Sequence, residues 1–166
     1  MLPNLERLIR LQQLDNAAIA AQRTVDAIPT QIAELNDRRT ASQTAVETAQ
    51  ARVDTAKRER QSEEKNLAEV NSRLSRFKEQ LMAVKTNKEY TAMQAEIAGS
   101  EKQIQRLEDH LLEQMLEGDE YERKLKYSEK LLSDEQLAAN KERTILENNR
   151  KTLEQKLSKV DVNRNT

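Results

Sequence analysis

The chain of 166 residues holds 28 basic and 29 acidic side chains, a net charge of −1, with 36% hydrophobic and only 2% aromatic residues. One phenylalanine, three tyrosines and no tryptophan cannot fill the core of a globular domain of this length, and the absence of cysteine excludes disulfides and thiolate chemistry from these residues. What remains is the A/E/K/L/R/Q-rich composition of long helices, and its apolar residues are phased rather than scattered as in a disordered chain.

The first predicted element is a helix over about residues 4–84, with Asn4 as a plausible N-cap. From Leu11 the apolar positions recur in alternating steps of three and four: Leu11, Leu14, Ala18, Ala21, Val25, Ile28, Ile32 and Leu35. Arg39 and Ser42 follow in phase, then Val46, Ala49, Val53 and Ala56, then Arg60 and Glu63, then Leu67, Val70, Leu74, Phe77, Leu81 and Val84. A seven-residue repeat held this strictly imposes a left-handed supercoil. Pro29 lies inside the repeat without shifting its phase, so the sequence predicts a kink or short break there and not a domain boundary.

A turn over about residues 85–89 comes next. Thr86-Asn87-Lys88-Glu89 has the form of a capping box, in which a hydroxyl accepts from the amide three residues on and the carboxylate reaches back. The second arm, about 90–160, repeats the rhythm with Tyr90, Met93, Ile97, Ser100, Ile104, Leu107 and Leu111. Val84 and Tyr90, Leu81 and Met93, and Phe77 and Ile97 lie at equal distances from the turn, as an antiparallel helical hairpin requires.

Beyond Leu111 every other layer is apolar, through Gly118, Leu125, Leu132, Ala139, Leu146, Leu153 and Val160. Gln114, Tyr121, Ser128, Glu135, Glu142, Asn149 and Lys156 fall between them. The pairing sets Gly118 opposite Ala56, predicting close backbone approach, and sets Arg60 opposite Gln114 and Arg39 opposite Glu135. Ser133-Asp134-Glu135-Gln136 is a second capping-box pattern opposite Thr40, and predicts a discontinuity in both arms. Leu112, Leu116, Leu131, Leu137, Ile145 and Leu157 are out of phase and widen the apolar stripe, which could shelter a partner helix. The expected fold is therefore all-α: one long kinked antiparallel coiled-coil hairpin over residues 1–166, ending in a tail at 161–166.

So thin an interior offers little room for chemistry. His110 is the only histidine, without a second nitrogen or sulfur ligand nearby in sequence, and Glu117, Asp119 and Glu120 around Gly118 lack calcium-loop spacing. No phosphate-binding, dinucleotide, zinc-protease or nucleophile-elbow motif occurs. The expectation is a protein that is not an enzyme, with no cofactor and no small-molecule substrate. No apolar run approaches the ~18 residues of a membrane span, and MLPNLERLIRLQQLDN lacks a signal-peptide layout, which points to the cytoplasm and away from membranes.

Two surfaces stand out for partners. Arg76, Lys78, Lys85 and Lys88 gather near the turn, interleaved with Glu79, Glu89 and Glu96. From residue 141 onward, Lys141, Arg143, Arg150, Lys151, Lys156, Lys159 and Arg164 outnumber Glu142, Glu147, Glu154 and Asp161. The latter bias leaves nucleic-acid binding open as an alternative, although no aromatic stacking platform accompanies it.

The run LMAVKTNKEYTAMQAEI, Leu81 to Ile97, resembles the hairpin signature of bacterial coiled-coil proteins that carry a C-terminal C4-type zinc ribbon. Val84, Lys85, Thr86, Asn87, Lys88, Glu89, Tyr90, Ala92, Met93, Glu96 and Ile97 carry the match; Leu11 to Asp15 and Ile28-Pro29 are similar to that family's N-terminal part. The resemblance implies an adaptor or transcription regulator linked to flagellar or type III secretion components, with a sigma factor, export proteins or messenger RNA as partners. It also implies two C-x-x-C pairs after the hairpin, whereas this sequence runs to Thr166 without a cysteine. Zinc is accordingly assigned to none of these residues and would belong only to a ribbon beyond them. The turn residues Lys85, Thr86, Asn87, Lys88, Glu89 and Tyr90 are the expected protein-partner site. Thr86, Glu89 and Tyr90 also have architectural work to do, which Lys85, Asn87 and Lys88 do not.

Overall fold

The structure, a computed structural model, describes residues 2–165. It consists of two helices, α1 (Leu2–Ala83) and α2 (Asn87–Asn165), which form a coiled-coil hairpin with no strand among the described residues. Thr166, the last residue of the expected tail, lies outside the described residues, and the rest of that tail is helical. Contacts divide the chain into one unit of Met1–Ala45 with Glu129–Thr166 and another of Val46–Ser128.

In the Val46–Ser128 unit the heptad reading is followed closely. On α1 the protected residues are Val46, Ala49, Val53, Ala56, Arg60, Glu63, Leu67, Val70, Leu74, Phe77 and Leu81, each an expected layer position. Val70, with none of its surface exposed, and Val53, at 3%, anchor this core, where a fully buried aliphatic side chain contributes roughly 1.5–3 kcal/mol. On α2, Met93, Ile97, Ser100, Ile104, Leu107 and Leu111 are protected in the same rhythm, and Ser100 is buried. Contacts between the arms keep the expected register. His110 Nδ1 lies 3.3 Å from Glu63 Oε1, and Arg52 Nη2 donates to the Tyr121 hydroxyl at 3.2 Å. Lys78 and Lys57 reach Glu101 and Glu122, each at 3.9 Å.

One expectation fails inside this unit. Gly118 and Ala56 share a layer, but a Cβ built on Gly118 would meet nothing within 4 Å, so the backbones do not close in at that level. The adjoining layers explain this. The bulk of Val53, Tyr121, Arg60 and Gln114 keeps the arms apart, and the two small residues between them leave space. The cleft that Gly118 lines with Val53, Ala56, Arg60 and Gln114 is about 30 Å³, and a separate one of about 230 Å³ lies beside Ala56, Gln114 and Tyr121. The Arg60–Gln114 layer is polar as expected, but it is not a satisfied pair. Arg60 Nε, Gln114 Oε1 and the neighbouring Glu63 Oε2 are buried with no hydrogen-bond partner. Glu64 Oε1, at 3.6 Å from Arg60 Nε, offers charge attraction beyond hydrogen-bond reach.

In the other unit, Val25, Ile28 and Leu35 form the core, with Ile28 only 1% exposed. Pro29 sits beside Ile28 without breaking α1: its ring takes away one helical donor, and the packed neighbours on either side keep the chain helical. No discontinuity occurs at Thr40 or at Ser133–Gln136 either, because a capping sequence ends a helix only where the backbone is free to leave it. Arg39 is exposed, not in the layer. Arg38 takes its part, at 3.7 Å from Glu135 and 3.8 Å from Glu142, so the charge stays at the solvent edge, where it is not desolvated. Near the end of α2, Lys156 is exposed and Leu157 is protected in its place. Leu11 and Leu14, expected as core layers, are both exposed.

Candidate functional site at the hairpin tip

The turn is built by the residues the sequence marked for it. α1 ends at Ala83, α2 starts at Asn87, and Val84, Lys85 and Thr86 connect them. The Thr86 hydroxyl accepts from the Glu89 amide at 3.2 Å, and the Thr86 carbonyl accepts from the Tyr90 amide at 3.0 Å. The Glu89 carboxylate reaches back to the Lys85 amide at 3.4 Å, one residue before the cap, so it spans the whole turn. Its negative charge also lies in the first turn of α2, where the helix dipole favours it. Thr86 and Glu89 thereby satisfy amides that would otherwise be orphaned.

Tyr90 departs from its expected place. It is 44% exposed and does not close the last layer, and its hydroxyl accepts from Gln94 Nε2 at 3.0 Å. Its partner across the turn, Val84, lies outside both helices, so there is no complete layer for the ring to enter. Lys85, Asn87 and Lys88 are all exposed, and among the described residues neither lysine ammonium lies within ion-pair distance of a carboxylate. The tip thus combines a rigid, doubly capped turn with three polar side chains that its folding does not use.

Sequence reasoning missed Met82. It is 92% exposed at the last turn of α1, one position off the layer residue Leu81. Its place just before the turn, out of heptad phase, was the available signal. An unbranched thioether beside exposed lysines gives an adaptable apolar contact at the same end of the molecule.

The other candidates are less organised. In the Val46–Ser128 unit, Leu112 and Leu116 are exposed as their phase predicts, with Met115 between them. In the other unit Leu131, Leu137 and Ile145 are exposed, whereas Leu157 joins the protected set. Three of the seven C-terminal cations are engaged: Arg143 with Glu147 at 3.2 Å, Arg150 with Glu154 at 3.1 Å, and Arg164 with Asp15 at 3.5 Å. Among the described residues no group of three or more His, Cys, Asp or Glu side chains is placed to hold a metal ion, and no helix is long and apolar enough to cross a membrane.

Residues 11–166 match the family model described as the CT398-like coiled coil hairpin domain. Neither the comparison with curated proteins nor that with solved structures returned a match.

Proposed function

We propose that this chain, which belongs to the CT398-like coiled coil hairpin domain family, is a non-enzymatic adaptor that docks protein partners on its tip at Lys85, Thr86, Asn87, Lys88, Glu89 and Tyr90. The observation that carries this reading is the division of labour at the turn. Thr86 and Glu89 make the caps, while Lys85, Asn87 and Lys88 stay exposed. A two-helix interior offers no enclosed site for a substrate, so selectivity has to reside on a presented surface. The run from Leu81 to Ile97 resembles regulators of flagellar and type III secretion, which points to a sigma factor or an export component as the partner. It also points to a cytoplasmic setting, with zinc confined to any ribbon beyond these residues.

Affinity capture from bacterial lysate, with and without nuclease, tests the proposal. The expected result is a sigma factor or secretion component retained after nuclease and lost on combining Lys85→Ala with Lys88→Ala, with far-UV circular dichroism unchanged. Undiminished capture by that double variant overturns the tip assignment. Recovery mainly of RNA, lost steeply as salt rises, replaces the adaptor with a nucleic-acid-binding regulator acting through Lys141, Lys151, Lys156 and Lys159.

A further inference from the structure

α2 carries a second heptad stripe on the side turned away from the hairpin seam. Leu116, Glu120, Arg123 and Tyr127 recur in steps of four, three and four, the rhythm of a coiled-coil face, and all four are exposed. Leu116 is 71% exposed and Tyr127 64%, so the hairpin's own packing uses neither. The stripe lies wholly within the Val46–Ser128 unit. Its charges are divided: Glu117, Asp119 and Glu120 precede its midpoint, and Arg123, Lys124 and Lys126 follow it. Among the described residues none of these six lies within ion-pair distance of an opposite charge, whereas Glu122, on the flank nearer the seam, is paired with Lys57.

We infer that this stripe is a two-fold interface in which α2 pairs antiparallel with α2 of a second copy. The stripe is complementary to its own reverse. About a midpoint between Tyr121 and Glu122, Leu116 meets Tyr127 and Glu120 meets Arg123, and the symmetry repeats each contact. Antiparallel pairing also brings together flanking positions of the same kind, which sets Glu117 against Lys124 and Asp119 against Lys126. Each of the six charges thus faces its opposite, and the two apolar residues face each other. Charge and phase select this arrangement over its rivals. Parallel pairing in register sets Glu120 on Glu120 and Arg123 on Arg123. Sliding one antiparallel copy by a heptad sets Leu116 against Glu120 one way and Tyr127 against Arg123 the other. A nucleic acid or an anionic lipid surface is attracted by the basic half and repelled by the acidic half, and a uniformly charged peptide meets the same conflict. A second copy in this polarity satisfies both halves at once. Exposed ion pairs fix partner and register more than they add affinity, which falls to Leu116 and Tyr127. Four layers make a small contact, of the kind that forms and dissociates with concentration. It uses none of the tip residues, so it stands or falls independently of the tip reading.

The test is sedimentation equilibrium of the whole chain over two decades of concentration, repeated with charge-reversed variants. The expected mass of the parent rises from 19.2 kDa towards twice that value. Glu120→Arg alone sets arginine against arginine in both central layers, and Arg123→Glu alone sets glutamate against glutamate. Each should weaken association about tenfold or more, with far-UV circular dichroism unchanged. An equal mixture of the two variants should recover the parent's association, because each copy then meets its opposite; so should both changes combined in one chain. A constant 19.2 kDa for the parent overturns the inference. So do single variants that associate like the parent, and so does a mixture that stays as weak as its components, which would place any self-association on another surface.

Discussion

Replacing Gly118 by alanine separates two pictures of the middle of the hairpin by the sign of one number. Sequence pairing sets Gly118 against Ala56 and implies backbone contact, in which case an added methyl has to push the arms apart. In the structure that methyl meets nothing within 4 Å, and Gly118 does not use a positive φ. The substitution then leaves only the helix-propensity difference, about 1 kcal/mol in favour of alanine, because glycine loses more backbone freedom on folding. For a chain of this size that is a rise of roughly 2–4 °C in melting temperature, followed by circular dichroism at the helical band. Gly99→Ala is the internal reference, since its added Cβ also meets nothing and the residue is exposed. The two variants should stabilise by similar amounts. A destabilised Gly118→Ala beside a stabilised Gly99→Ala would refute the open layer and restore the close approach.

Three further changes probe the rest of the scaffold. Val70→Asp places an unpaired carboxylate where no surface is exposed, and should cost roughly 4 kcal/mol, seen as a fall in the urea midpoint; an unchanged midpoint would mean that the register is wrong. Thr86→Ala removes the hydroxyl that accepts from Glu89 and should cost about 1 kcal/mol in chemical denaturation, with secondary structure kept. Arg60→Leu combined with Gln114→Leu removes two buried unpartnered atoms and should stabilise the chain by about 1–2 kcal/mol; a loss of stability would show that ordered water already satisfies that layer.

Much of the hairpin was legible because heptad phase is a one-dimensional signal. Each residue from Ala18 to Leu35 and from Ser42 to Leu81 that the rhythm assigned to the seam is protected, whether apolar like Val53 or polar like Glu63. The capping box at Thr86 was legible for a similar reason, since it depends only on residues three apart. Departures occur where the outcome depends on the space between the arms. Phase fixes that Gly118 faces Ala56, but the separation at that level is set by the larger side chains one layer away. Phase also placed Arg39 in the seam, whereas a long cation on the adjacent position reaches two carboxylates without being desolvated. At the tip, the exposure of Met82 and Tyr90 depends on which residue ends each helix, and boundaries are what periodicity marks least sharply.

Retaining a layer as poor as Arg60–Gln114 makes sense in terms of register. Apolar heptad layers are nearly interchangeable, so a purely apolar seam tolerates a shift of one arm by a whole heptad. Shifted one way, Arg60 would face Leu107 and Gln114 would face Val53; shifted the other way, they would face Tyr121 and Leu67. Either slip splits the two polar residues and sets Gln114 against an apolar one; the first does the same to Arg60, while the second gives it only Tyr121, whose hydroxyl already accepts from Arg52. The three-residue connection at Val84–Thr86 opposes the same slips from the other end, because a whole-heptad shift would have to unwind the Thr86 cap and the Glu89 bridge across it. A turn held in one register by both constraints presents Lys85, Asn87 and Lys88 in one arrangement. Preorganisation of that kind is what a small exposed surface needs, because it lowers the ordering cost of binding that the few available contacts have to offset.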